Sequence, residues 1–157
     1  MKNKIVDSHC HLNFDDFKDD LDNVIKNAKV KDVDYMLSIS IDLEKFEEIY
    51  NLTQKYKNVW CTTGVHPNNV PKKLDIQNIT KLKSQLLKNL LKKKVVGIGE
   101  TGLDYYRGFE NKQNQIDFFE THMQVSGETN SPTVIHTRNA DEDTIFFLNQ
   151  FVNFCLK

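Results

Sequence analysis

The chain has 157 residues, 39% of them hydrophobic and 27% charged, with six glycines, three cysteines and a formal net charge of −1. These figures fit one soluble globular domain and exclude a disordered, collagen-like or disulfide-stapled chain. No apolar run reaches the length of a signal peptide or membrane span, and Cys10, Cys61 and Cys155 stand at long spacings without a CxxC pair, so a reduced, cytoplasmic protein is expected.

Short β-branched runs alternate with stretches of helical periodicity, the pattern of βα units around a parallel sheet. The run Ile5 to His9 opens the series, and Phe17, Leu21, Val24, Ile25 and Ala28 then share one helical face. Val33 to Ile39 is the second strand. A helix follows it, with Asp42 as its N-cap and Leu43, Phe46, Ile49, Tyr50 and Thr53 on the inner stripe. Val59 to Val65 is the third strand, and Ile79, Leu82, Leu86, Leu87 and Leu90 mark its helix.

Between Pro71 and Lys94 the chain holds eight lysines against one acid, Asp75, which reads as the solvated face of that helix, with a basic patch near DNA as the lesser reading. Val95 to Gly99 is the fourth strand. Its helix is predicted from Lys112 to Ser126, with Ile116, Phe119 and Met123 turned inward and Gly127 closing it. Thr133 to Ile135 forms a fifth strand, and a last helix starts near Ala140. Ile145, Phe146, Phe147, Leu148, Phe151, Val152, Phe154, Cys155 and Leu156 surround most of that helix, which therefore asks for burial on more than one side. No linker or repeat divides residues 1–157, so a single domain is expected.

Five such units suit an open doubly wound sheet or part of a barrel, and both architectures bind ligands at the C-terminal ends of their strands. Chemistry-bearing side chains recur at those ends. His9 and His11, two apart, point to one side of the first strand while Cys10 faces the packing. His66 ends the third strand, Glu100 the fourth and His136 the fifth. Each has a structural alternative: a turn before Pro67, a cap or ion pair, a satisfied core histidine. Cys10 and Cys61 read as small buried hydrophobes, and His122, mid-helix, as a surface residue. Taken together, the placements favour a site for divalent metal, with His9 and His11 on one ion, His136 on another and Glu100 between them, an arrangement suited to hydrolysis. Arg138 is placed either to grip an anionic substrate or to pair with Asp141 or Glu142.

Four segments carry a resemblance: Val6-Asp7-Ser8-His9-Cys10-His11-Leu12, Gly64-Val65-His66-Pro67, Val96-Gly97-Ile98-Gly99-Glu100-Thr101-Gly102-Leu103-Asp104-Tyr105-Tyr106 and Ile135-His136-Thr137-Arg138-Asn139-Ala140. In order and spacing they resemble the TatD family of metal-dependent deoxyribonucleases. The resemblance implies an α/β fold, a partial (β/α) TIM-type barrel related to amidohydrolases, and activity on DNA from the 3′ end. It implies His9 and His11 as ligands of one ion, Glu100 as the shared catalytic ligand, His136 as ligand of the second, and two ions drawn from magnesium, manganese or zinc. His66 and Arg138 fall on the substrate side. Tyr105 and Tyr106 are placed either at the mouth near DNA or as packing under a loop.

A whole barrel has eight units and about 250 residues, whereas five units are legible here, so a chain truncated at its C-terminus is expected, with two exposed sheet edges and an uncovered apolar interior. The family's further metal-binding histidine and aspartate follow its sixth and eighth strands, beyond the segments matched. Three readings of function therefore stand: a DNA hydrolase, a catalytically inactive remnant or half of a split protein that retains partial metal binding, and a small-molecule amidohydrolase. Self-association or a complementary C-terminal fragment is the expected partner, and no membrane.

Overall fold

In the computed structural model, residues 4–155 are described, with side chains through residue 152. Five strands lie parallel in the order β1 to β5, curled as half of a barrel, and helices fill the connections. The strands are β1 (Ile5–Cys10), β2 (Val33–Ser38), β3 (Val59–Thr63), β4 (Val95–Asp104) and β5 (Thr133–Arg138). The helices are α1 (Leu21–Val30), α2 (Phe46–Lys55), α3 (Ile76–Leu90), α4 (Lys112–Thr129) and α5 (Asp141–Cys155). Every expected βα unit is present, because each strand carries β-branched residues and each helix one apolar stripe that must be covered.

The apolar stripes pack on the outer face of the sheet. Ile25, Leu21 and Ala28 meet Met36 and Val59; Phe46 and Ile49 meet Cys61; Leu82 and Leu86 meet Ile98, Phe118 and Val125; Ile116 and Phe119 meet Leu103. On the opposite face the paired residues Val6 and Tyr35 are 58% and 40% exposed, as expected of an uncovered interior. Among the described residues β1 and β5 each have one neighbour, so both edges of the sheet are open. On α5, Phe147 and Leu148 pack towards Leu103 and Phe119, while Ile145, Phe146 and Val152 are exposed. The side chains of Phe154 and Cys155, and Leu156 altogether, lie outside the described residues.

Several boundaries differ from the expectation. Phe17 belongs to a 3₁₀ turn, Asp15–Phe17, that precedes α1. Asp42 caps no helix: its Oδ1 accepts from the Glu44 N–H at 2.8 Å, a local turn that competes with the helix, which starts only at Phe46. Gly127 stays helical. Closure comes at Asn130, in the left-handed region with φ 51°, whose N–H donates to the Ser126 carbonyl. Strands β4 and β5 run past Gly99 and Ile135, which puts Glu100 and His136 inside strands instead of after them.

Of the eight lysines between Pro71 and Lys94 five are exposed, as expected of a solvated face, and Lys83, Lys92 and Lys94 are half-buried, the last with a separate task. Lys94, at φ 72°, sets its Nζ within 3.3 Å of four carbonyl oxygens, those of Thr53, Tyr56, Lys57 and Val59. The ammonium thereby satisfies carbonyls left open at the C-terminal end of α2. Lys94→Met keeps the stem and removes the charge, and is expected to destabilise the chain by about 2 kcal/mol, the scale of charged hydrogen bonds. Urea unfolding of both proteins checks this; superimposable curves would show that water replaces the ammonium without loss.

Candidate metal centre

His9 of β1, His66 just beyond β3 and His136 of β5 converge on one carboxylate within β4, Glu100, whose side chain is 9% exposed. The strand register shifts between Ile98 and Thr101, which releases the Glu100 N–H from the β5 ladder, and it donates instead to the Ser40 carbonyl at 2.7 Å. A bulge of this kind re-aims a side chain. Behind it, the Thr62 hydroxyl donates to the Gly99 carbonyl and accepts the Ser40 N–H at 3.0 Å, and the Ser40 hydroxyl donates to the Gly64 carbonyl at 3.0 Å. Gly99, at φ 113°, allows the close approach to β5: a Cβ there would lie 2.4 Å from the Val134 carbonyl oxygen.

The two oxygens of Glu100 face different histidines. Oε2 lies 3.4 Å from His9 Nε2 and 3.9 Å from His11 Nε2; Oε1 lies 3.0 Å from His136 Nδ1 and 4.0 Å from His66 Nε2. Two sets of metal-ligating atoms follow, each within 4.8 Å of one another: His9, His11 and Glu100, and His66, Glu100 and His136. The expected pairing of His9 with His11 is therefore present, and Cys10 does face away, its thiol donating to the Leu37 carbonyl at 3.3 Å. Cys61 is buried, and burial pushes both thiols up to about 12.

Local contacts set the direction of each ring. His11 Nδ1 donates to the Ile39 carbonyl at 3.1 Å, leaving Nε2 with its lone pair turned inward, and Phe14 stacks on the ring at 4.7 Å. His66 does both things that the sequence left open. It caps the 3₁₀ turn Pro67–Asn69, its Nδ1 accepting the Asn68 N–H at 3.1 Å, and its Nε2 faces the site. In the neutral ring that capping bond places the proton on Nε2. Burial, followed by the neighbouring His136, pushes the His66 pKa down to about 4, so the ring is a neutral donor.

Burial alone would raise the Glu100 carboxyl, but close contact with His136 and the nearby imidazoles hold it below its ordinary value, and the contact with Glu100 raises His136 in turn. An ionised, largely buried carboxylate thus faces inward-turned imidazole nitrogens. Acceptors gathered around one volume need protons or a cation between them, and imidazole with carboxylate is the donor set of a borderline divalent ion. The residues fit such an ion.

Some expectations need correction or refinement. His122 is not on the surface: it is fully buried on α4, where Nε2 accepts the Val65 N–H at 3.1 Å and Nδ1 donates to the Phe118 carbonyl at 2.7 Å. Helical periodicity shows which residues share a face, and a polar residue on an inner face is legible only when its distant partner is known. Tyr105 packs under α5, its hydroxyl donating to Asp143 at 2.8 Å, whereas Tyr106 is 61% exposed with the Arg138 guanidinium 3.7 Å over its ring. Asp141 accepts from the Thr137 hydroxyl at 3.1 Å. Sequence reasoning passed over Ser40, Thr62 and Asp104. The last had a signal, since a residue four after Glu100 on a strand returns to the same side.

The family model for the TatD-related DNases matches residues 6–155. The chain is 36% identical over 150 residues to an uncharacterised metal-dependent hydrolase of Buchnera aphidicola, covering 93% of this chain and 57% of that protein. It is 32% identical over 156 residues to the human deoxyribonuclease TATDN3, covering 93% and 56%. The crystal structure of YjjV, a TatD homologue of Escherichia coli, superposes with a TM-score of 0.83 at 22% identity over 94% of this chain and 56% of the other. The chain thus spans little more than half the length of the relatives it matches. With a parallel half-barrel, four motif segments meeting at one carboxylate, and a family match running from the first strand to the last helix, this chain belongs to the TatD-related DNase family.

Proposed function

We propose that the five strands carry a centre for two divalent ions that hydrolyses phosphodiester bonds of DNA, trimming single strands from the 3′ end. The observation that carries the reading is the division of labour at Glu100, which offers Oε2 to His9 and His11 and Oε1 to His136. In this reading His9 and His11 hold one ion, His136 the other, and Glu100 is the catalytic carboxylate shared by both. Bound magnesium, manganese or zinc polarises the phosphodiester and stabilises charge on its oxygens. Glu100 keeps the two ligand sets at a constant separation. His66, with its proton on Nε2, donates to a phosphate oxygen beside the ions. Arg138, held over Tyr106 at the rim, meets the next phosphate with its planar fork of donors.

DNA as the substrate is supported by the family description and by the name of the human relative. Free thiols at Cys10 and Cys61 support a reducing, cytoplasmic setting. None of the helices among the described residues is long and apolar enough to cross a membrane. The open edges at β1 and β5 support self-association, or a complementary C-terminal segment, as the source of further strands.

The test is release of nucleotides from single-stranded DNA labelled at either end, with manganese or magnesium present and after chelation. The expected result is early loss of the 3′ label that stops on chelation. A cooperatively folded chain that binds manganese and releases no label would overturn the nuclease reading in favour of an inactive remnant.

A further inference from the structure

Asp104 lies at the end of β4 with its carboxylate fully buried, yet it belongs to neither set of converging ligand atoms. Its oxygens are fully engaged. Oδ1 accepts the Tyr106 N–H at 3.0 Å; Oδ2 accepts from Asn68 Nδ2 at 3.1 Å and from His136 Nε2 at 3.2 Å. The main chain beneath is clamped by Gln115, which accepts the Asp104 N–H at 2.8 Å and donates to the Asp104 carbonyl at 3.1 Å. A carboxylate held in this way cannot follow the ring; the ring must follow it.

We propose that Asp104 is a positioning residue for His136: by accepting the Nε2 proton it selects the tautomer whose Nδ1 lone pair is turned towards Glu100. Asp104 and Glu100 flank the ring and both can only accept, but the His66 Nε2–H also faces Nδ1, so the single proton of the neutral ring goes to Nε2 and Asp104. Nδ1 is the nitrogen 3.0 Å from Glu100 Oε1, and it is also 3.2 Å from His66 Nε2, the donor assigned above. One buried acid thereby aligns a ligand and, through it, the donor beside it. The inference rests on the metal-site reading but assigns a residue outside either ligand set.

Asp104→Asn separates orientation from packing. The amide that replaces Oδ2 becomes a donor. Asn68 answers by rotating its own amide, and His136 by moving its proton to Nδ1, so the fold survives while the lone pair towards Glu100 is lost. Two measurements on metal-free protein test this. Nitrogen-15 NMR, at a pH where His136 is neutral, is expected to show the proton on Nε2 in the parent chain and on Nδ1 in the variant. Manganese titration is expected to show affinity on the His136 side reduced by about 10- to 100-fold, the scale for residues that orient ligands. Asn68→Ala, which removes another donor to the same carboxylate, is expected to leave both readouts unchanged.

A proton on Nδ1 of neutral His136 in the parent chain overturns the proposal, and needs no variant to fold. Manganese affinity within twofold of the parent in Asp104→Asn, or an equal loss in Asn68→Ala, overturns it too. Glu100→Ala distinguishes the failures. If it loses manganese while Asp104→Asn does not, the site stands and the role of Asp104 falls; if it binds as tightly as the parent, the site reading itself falls.

Discussion

Glu100→Ala is expected to lower manganese affinity more than about 100-fold and to abolish 3′ nucleotide release, whereas Cys10→Ser leaves both within about twofold. Residues that only orient a ligand are worth about 10- to 100-fold, and loss of a carboxylate that serves both ligand sets exceeds that. The loss amounts to at least about 3 kcal/mol. Truncation also leaves His9, His11, His66 and His136 facing one another with no anionic partner at the centre. Cys10 is the neighbouring control: it sits between two proposed ligands but turns its thiol to the Leu37 carbonyl. Calorimetric titration of both variants checks the claim, and equal affinities would remove Glu100 from the centre.

His122 has the second large effect, on stability. Its ring is fully buried, and burial pushes its pKa down to about 4 from an ordinary 6.5. Between these values the unfolded chain binds a proton that the folded chain refuses. Stability is therefore complete above pH 6.5 and falls as the pH drops towards 4, by on the order of 3 kcal/mol from this residue. His66, lowered to a similar value, acts in the same window. His122→Leu leaves the Val65 N–H buried without an acceptor, and is expected to cost about 3 kcal/mol at pH 7 from that orphan and the altered packing. It should also flatten the slope of stability against pH between 6.5 and 4, since one of the two histidines no longer titrates. Urea unfolding at pH 7 and pH 4.5 gives both quantities. A slope identical to that of the parent would mean that His122 opens to solvent in the folded state.

His122 also links packing to the site. It binds the main chain one residue before His66, so the ring that caps the Pro67–Asn69 turn is held from behind by α4. A displaced main chain at Val65 would carry His66 away from Glu100. The structure therefore predicts that a stability variant on α4 also weakens the proposed phosphate donor, although the two residues stand 56 positions apart in the sequence.

The five strands were readable from β-branched runs, since such side chains suit a pleated surface on which helices pack. His9 with His11 was readable because the period of a strand is two. Helix ends were less so: Asp42 and Gly127 have the chemistry of caps, yet Glu44 and Asn130 decided where the local hydrogen bonds close. The burial of His122 is not legible in the sequence because Val65, which donates to it, lies on a distant segment.

By itself the sequence determined the alternation of strands and helices, the apolar faces and the residue types that the centre requires, because these depend on periodicity and on neighbours along the chain. Only the tertiary structure decided that Glu100 divides its oxygens between two sets of histidines, that Asp104 holds His136, and that His66 keeps its proton on Nε2. Those facts depend on register shifts and on hydrogen bonds between strands remote in sequence. A direction in space, unlike a residue type, is set by what stands opposite.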